Sequence, residues 1–245
     1  MNPTVTAVIQ ARMGSSRLPG KVLLPLGDFD VLTWVVERVQ QATRVDQVFV
    51  ATSTAAGDDP IAEKTLSWPS VGLIRGPEQD VLGRYALALD RTPAEYFVRI
   101  TSDCPLIDPQ VIDEVICLAL ESGSCDYASN TVQRSYPRGL DVEVVRRGAL
   151  VIANNEATKE TDREHVTPFI WRQPLRFGIK QVQHPQDLSF HRWTLDTEDD
   201  YKLLQSLCEA LGPNGIKARF SSILDLFSQN PNLITLNSEV RQRGL

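Results

Sequence analysis

Val8-Ile9-Gln10-Ala11-Arg12-Met13-Gly14-Ser15-Ser16-Arg17-Leu18-Pro19-Gly20-Lys21 joins an apolar strand to a loop of small residues carrying three fixed cations. The strand is the end of Thr4–Gln10, an apolar and β-branched run of the kind that forms a buried strand. The loop has the chemistry a polyphosphate requires. Glycine and serine let backbone N–H groups approach phosphate oxygens closely. Arg12, Arg17 and Lys21 stand ready to neutralise negative charge from different sides, arginine as a planar fork of donors and lysine as a mobile point charge. Neither G-x-x-x-x-G-K-[ST] nor G-x-G-x-x-G can be written over these residues, so a nucleotide-binding loop of another type is implied. The competing reading is a surface loop whose basic residues face water; strand context and cation spacing weigh against it.

Similar apolar runs recur at Gln47–Thr52, Val71–Arg75 and Tyr96–Thr101, each followed by polar or Gly/Pro punctuation. Helical spacing fills the intervals at Val31–Ala42, Asp59–Leu66, Asp80–Leu89 and Pro109–Glu121. Asp80 is placed to cap its helix and Pro109 suits a first helical position. This alternation predicts an α/β fold, a mostly parallel sheet covered by helices on both faces. A strand is expected at Asp126–Ser129, after which the rhythm changes. Asn130 to Gln183 holds a Tyr136-Pro137-Arg138-Gly139 turn, an alternating strand at Leu140–Val145, helical stretches near Gly148–Ala157 and Arg163–Trp171, and a strand at Phe177–Val182. With no linker at either end, residues 130–183 read as a small α+β insert for sugar binding, dimerisation or both, within one domain spanning 1–245. The main pattern resumes with a strand at Trp193–Asp196, a helix at Glu198–Leu211 and a last helix at Ser221–Phe227, capped by Ser221 or Ser222. The tail from Asn230 is polar and is expected to be partly mobile or packed on a partner.

Composition narrows the function classes. A net charge of −6 argues against a broad nucleic-acid-binding surface, so the cations must act locally. No run of 18 apolar residues is present, and Met1 leads into a strand without a basic-then-apolar signal region; the expectation is a cytoplasmic protein with no membrane insertion. Cys104, Cys117, Cys125 and Cys208 form neither a C-x-x-C pair nor a disulfide framework and read as reduced thiols. His165, His184 and His191 lack metal-ligand spacing, which argues against structural zinc.

In open α/β sheets ligands bind beyond the carboxyl ends of the strands. Besides the cation loop, two strand ends qualify: Arg99-Ile100-Thr101-Ser102-Asp103-Cys104-Pro105-Leu106 and Leu195-Asp196-Thr197-Glu198-Asp199-Asp200. A carboxylate aimed into a phosphate site points to Mg²⁺, which takes one or two carboxylates, waters and phosphate oxygens. Asp103 is one such candidate and Asp196 the second; a turn aspartate and a helix cap are their structural alternatives.

Gln10–Leu23, Arg75–Arg84, Arg99–Asp108 and Leu195–Tyr201 resemble the signature segments of the cytidylyltransferases that activate acidic sugars, including the sialate and 3-deoxy-octulosonate enzymes. Gly139-Leu140-Asp141-Val142-Glu143-Val144 and Arg163-Glu164-His165-Val166-Thr167-Pro168 bring the resemblance closest to the spore-coat-polysaccharide F branch. It implies a nucleotide-diphospho-sugar transferase (GT-A-like) fold, CTP as nucleotide, Mg²⁺ as metal, a sugar attacking through its own hydroxyl, and a role in surface polysaccharide biosynthesis. Arg12, Arg17 and Lys21, with Gly14 and Ser15, would then bind triphosphate, and Asp103 and Asp196 would hold Mg²⁺. Ala11, Arg12, Arg75 and Asp80 are placed to meet cytosine and ribose. Asp141 and Glu143 alternate on one strand face and suit sugar hydroxyls, with Arg138 or Arg163 for a carboxylate; charges on a solvated edge strand explain them equally well. His165 is a candidate for the sugar site or for a general base, and Arg163, Glu164 and His165 also suit a dimer contact. A homodimer through residues 130–182 is expected. Two alternatives stay open: a nucleotide-sugar-dependent glycosyltransferase, against which Thr101-Ser102-Asp103 offers one aspartate in place of a D-x-D pair, and a non-catalytic nucleotide-binding protein.

Overall fold

The structure, a computed structural model, describes residues 3–121, 123 and 125–242. Strand β1 (Val5–Gln10) lies at the centre of the sheet because both its faces are apolar: Val5, Ala7 and Ile9 enter one core and Val8 the other. Two short strands, β2 (Pro25–Leu26) and β3 (Phe29–Asp30), pair apart from it. The main sheet continues with β4 (Gln47–Ser53), β5 (Val71–Gly76), β6 (Tyr96–Thr101), β7 (Tyr127–Ser129), β8 (Glu143–Arg146) and β9 (Ile179–Gln181). Its order is β5-β4-β1-β6-β8-β7-β9, with β8 antiparallel to both of its neighbours and the remaining pairs parallel. The continuous apolar runs noted in the sequence are the strands buried on both faces.

One face carries α1 (Val31–Gln40), α2 (Asp59–Leu66), α4 (Pro109–Glu121), α8 (Glu198–Leu211) and α9 (Phe220–Gln229). The opposite face carries α3 (Val81–Leu89), α5 (Arg147–Glu156), α6 (Glu160–His165) and α7 (Pro168–Trp171). Asp30 caps α1 through Thr33 N, and Asp80 caps α3 through Gly83 N at 2.8 Å.

Residues 130–183 contribute β8 and β9 to the main sheet, where β8 pairs with β6 through Val98–Val144 and Arg99–Glu143. Because β8 runs against β6, its first residue, Glu143, lies toward the carboxyl end of β1 and β6, and this reversal brings the segment to the ligand end of the sheet. The helical stretch expected at Arg163–Trp171 is broken in two at Val166, whose φ of 71° is the one positive value among the described non-glycine residues. In place of a strand at Trp193–Asp196 the chain makes an isolated bridge between Arg138 and Arg192. Gly139 permits that approach: its φ is 104°, and an added Cβ would stand 2.7 Å from the Trp193 carbonyl carbon. Neither Ser221 nor Ser222 caps α9; Phe220 N donates instead to Asp108, 112 residues away, at 2.7 Å. The tail folds back, with Asn237 buried and donating to Arg192 O and Asp200.

Candidate active site

After Gln10 the chain turns sharply, with Ala11 N bonded to Ala51 O at the end of β4 (3.0 Å). The cation loop then closes on one peptide: Met13 O accepts from both Ser15 N and Gly20 N at 3.0 Å. Gly20 takes a left-handed φ of 69°, which opens the 3₁₀ turn Lys21–Leu23. That turn carries Lys21 to the strand ends. Its ammonium donates to Asp103 (2.9 Å), Asp196 (2.8 Å) and Leu195 O (2.6 Å), and Arg17 stands 3.1 Å from Asp196. Three loops, distant in sequence, converge on one cation.

Asp103 comes from the turn after β6, where Cys104 N bonds Thr101 O, and Leu195 N ties the 193–197 stretch to Asp103 O at 2.8 Å. Asp196 does not cap α8. Thr197 does so in a capping box with Asp200, leaving the Asp196 carboxylate to Lys21, Arg17 and Arg192. Burial works against charge on both partners of the central pair, and each overcomes it for the other. Lys21 is raised above its ordinary value by Asp103 and Asp196, while the Asp103 carboxyl is held down at about 2 by the Lys21 ammonium.

The cluster sits in a cavity of about 920 Å³, within the range of small-molecule sites. Of the expected residues, Ala11, Arg12, Gly14, Ser15, Arg17, Lys21, Asp103, Arg138, Asp141, Glu143, His165 and Asp196 line it. Arg75, Asp80 and Arg163 are not among its lining residues and are engaged elsewhere. Arg75 is consumed by Ser53 O, Ala55 O and Asp59; Asp80 by Gly83 N and Arg163; Arg163 also by Asn154 O. Charged groups beside unpaired backbone polar atoms satisfy those first.

At the far side of the cavity Arg134 grips Asp141 bidentately at 2.5 and 2.7 Å. Arg138 makes no ion pair among the described residues, and burial followed by the nearby Arg134 lowers its pKa. Glu143 is no edge-strand charge: it is buried in an interior strand and accepts from Arg99, Tyr127 Oη and Thr167 Oγ1. His165 is partly buried, and burial lowers its pKa. Arg84, Arg99, Arg134, Thr167 and Gln242 also line the cavity and were not singled out from the sequence. An arginine within the apolar β6 run was a usable signal for Arg99; Gln242, which reaches Arg192 from the tail, left none.

Residues 6–211 match the sequence pattern that defines the cytidylyltransferase family. The chain belongs to that family. Over 235 residues it is 33% identical to the spore coat polysaccharide biosynthesis protein SpsF of Bacillus subtilis, covering 93% of this chain and 95% of that protein. It is 38% identical over 121 residues to a 3-deoxy-manno-octulosonate cytidylyltransferase of Anaeromyxobacter dehalogenans, 49% of this chain and 48% of that enzyme. A solved cytidylyltransferase from Leptospira borgpetersenii superposes with a TM-score of 0.90 at 30% identity, over 99% of this chain and 100% of that one. The protein is thus a nucleotidyltransferase with the α/β fold of its family, and the glycosyltransferase and non-catalytic alternatives are set aside. No described helix is long and apolar enough to cross a membrane.

Proposed function

We propose that this cytidylyltransferase transfers CMP from CTP to a hydroxyl of an acidic sugar and releases pyrophosphate, in surface polysaccharide biosynthesis. The observation that carries this reading is the Lys21 ammonium shared by Asp103 and Asp196, with Arg17 against Asp196, at the mouth of the small-residue loop. It is a site in which anionic and cationic groups are already matched around one point, as transfer between polyanions demands. The unpaired Arg138 across the same cavity supports a carboxylate on the acceptor. So do the names of the two relatives, one from polysaccharide biosynthesis and one acting on an octulosonate.

In this reading the backbone N–H groups around Gly14 and Ser15 bind the phosphate chain, while Arg12, Arg17 and Lys21 balance its charge. The sugar hydroxyl forms a bond to the α-phosphorus as the bridge to the β-phosphate breaks, and Arg17 and Lys21 hold the departing pyrophosphate. The hydroxyl proton leaves in the same step; His165 lines the cavity, and burial, which lowers its pKa, favours the neutral imidazole that could accept it. Asp103 is ionised, and both it and Asp196 lie within hydrogen-bond reach of one cation, a donor set of the oxygen type that Mg²⁺ takes. Mg²⁺ held there would supply charge neutralisation at the phosphate oxygens. The reading also assigns a homodimer contact to residues 130–182, where β9 is an edge strand and Leu175 is fully exposed.

Calorimetric titration with CTP, ATP, GTP and UTP in the presence of Mg²⁺ tests the nucleotide. CTP is expected to bind most tightly; equal affinity for all four would overturn the assignment of CTP.

A further inference from the structure

Beneath the cation loop lies a carboxylate that neither the family resemblance nor the reaction uses. Asp58 is 4% exposed and directly precedes α2, the position of an N-cap, yet its side chain caps nothing in its own helix. It reaches across the sheet end instead. Its Oδ1 accepts Met13 N at 2.7 Å, 45 residues away, and its Oδ2 accepts both Ser53 N and Ser53 Oγ at the end of β4.

Met13 is the hub of the loop. Its carbonyl closes the ring by accepting Ser15 N and Gly20 N, and the chain between those two amides carries Ser15, Ser16 and Arg17, with Lys21 next in line. Asp58 holds the opposite side of the same residue, so its two oxygens tie the hub to the end of β4. A second layer secures Asp58: Arg75 clamps Ser53 O, Ala55 O and Asp59, holding both ends of the turn from which Asp58 projects. Arg75 is thereby linked to the loop through that turn and not through contact with the cavity.

The choice of a carboxylate is informative. A negative charge under an anion-binding loop opposes the ligand, so electrostatics alone would favour an uncharged amide. Three donors converge here, however, and an amide has one acceptor oxygen where a carboxylate has two. Hydrogen bonds from the Met13 and Ser53 backbones and from the Ser53 hydroxyl keep the Asp58 carboxyl below its ordinary range despite its burial.

We infer that Asp58 is a positioning residue for triphosphate binding: through Met13 it sets the ring that presents the Gly14–Ser15 amides, Arg17 and Lys21. The inference rests on the reading that this loop holds the β- and γ-phosphates of CTP.

The test compares wild type, Asp58→Asn and the milder Ser53→Ala by calorimetry with three probes, CTP, CMP and inorganic pyrophosphate, each with Mg²⁺, alongside amide hydrogen exchange of the free proteins. Asp58→Asn is expected to weaken CTP and pyrophosphate about tenfold or more, to change CMP less than about twofold, and to speed exchange of the Ser15 and Gly20 amides. Ser53→Ala is expected to shift the same quantities in the same direction by less, which keeps the test open should the first variant fold poorly. An unchanged ratio of CTP to CMP affinity, or unchanged exchange at Ser15 and Gly20, would overturn the inference. Wild-type binding of pyrophosphate without preference for CTP would count against the nucleotide reading and leave the role of Asp58 to be decided by pyrophosphate and exchange.

Discussion

The loop after β1 and the corner where β8 turns against β6 hold the same kinds of charged residue and put them to different use. In the loop, Arg12 and Arg17 keep 43% and 24% of their side-chain surface exposed, and their carboxylate partners stand 3.6 and 3.1 Å away on other segments. In the corner, Glu143 keeps 8%, and Arg99, Tyr127 and Thr167 fill its oxygens. In the proposed reading Arg12 and Arg17 have loose partners that a phosphate chain replaces, whereas Glu143 is already satisfied and holds two strands in register.

Three substitutions press on that contrast. The largest effect is expected from Asp103→Asn at the loop end of the cavity. Sugar-dependent pyrophosphate release from CTP should fall by about 10²–10³-fold, a loss on the scale of removing one preorganised electrostatic partner of a transition state. Wild-type turnover would remove Asp103 from the reaction. Glu143→Gln should act on folding: leaving Arg99, whose side chain is 14% exposed, beside a neutral side chain is expected to lower unfolding stability by about 3–5 kcal/mol in a urea titration. If Asp103→Asn proves the more destabilising of the two, the division into ligand charges and structural charges fails.

The smallest effect concerns His191, buried among Phe190, Trp193 and Phe227, with an Nδ1 that has no hydrogen-bond partner among the described residues. Burial lowers its pKa below the ordinary 6.5. The unfolded chain therefore takes up the proton first, so stability is intact above pH 6.5 and is lost as pH falls through the unfolded value toward the folded one. His191→Phe should flatten that part of the stability curve. Identical slopes for the two proteins below pH 6.5 would show that His191 titrates normally.

The parallel half of the fold was legible because strands buried on both faces write long apolar runs, and because the first of them ends in a loop whose residues have few other uses. The antiparallel corner was harder to read. Leu140–Val145 shows the alternation of a strand, but nothing local says that this strand lies inside the sheet, and so Asp141 and Glu143 stood undecided between sugar ligands and edge charges. The same limit separates Lys21, whose neighbours in sequence already frame a phosphate site, from Arg75, Asp80 and Arg163, whose partners depend on how distant loops are brought together. Asp108 on α9 and Asp58 on Met13 are the extreme cases, carboxylates that each give one oxygen to an amide, 112 and 45 residues away respectively.

Transfer of CMP to an acidic sugar at the converging Lys21, Asp103 and Asp196, as proposed, is decided by pyrophosphate release from CTP, ATP, GTP and UTP with Mg²⁺, measured across a panel of acidic and neutral sugars. Release that requires both CTP and a carboxylate-bearing sugar is the predicted result. Release that is indifferent to the nucleotide, or driven by neutral sugars alone, would contradict it.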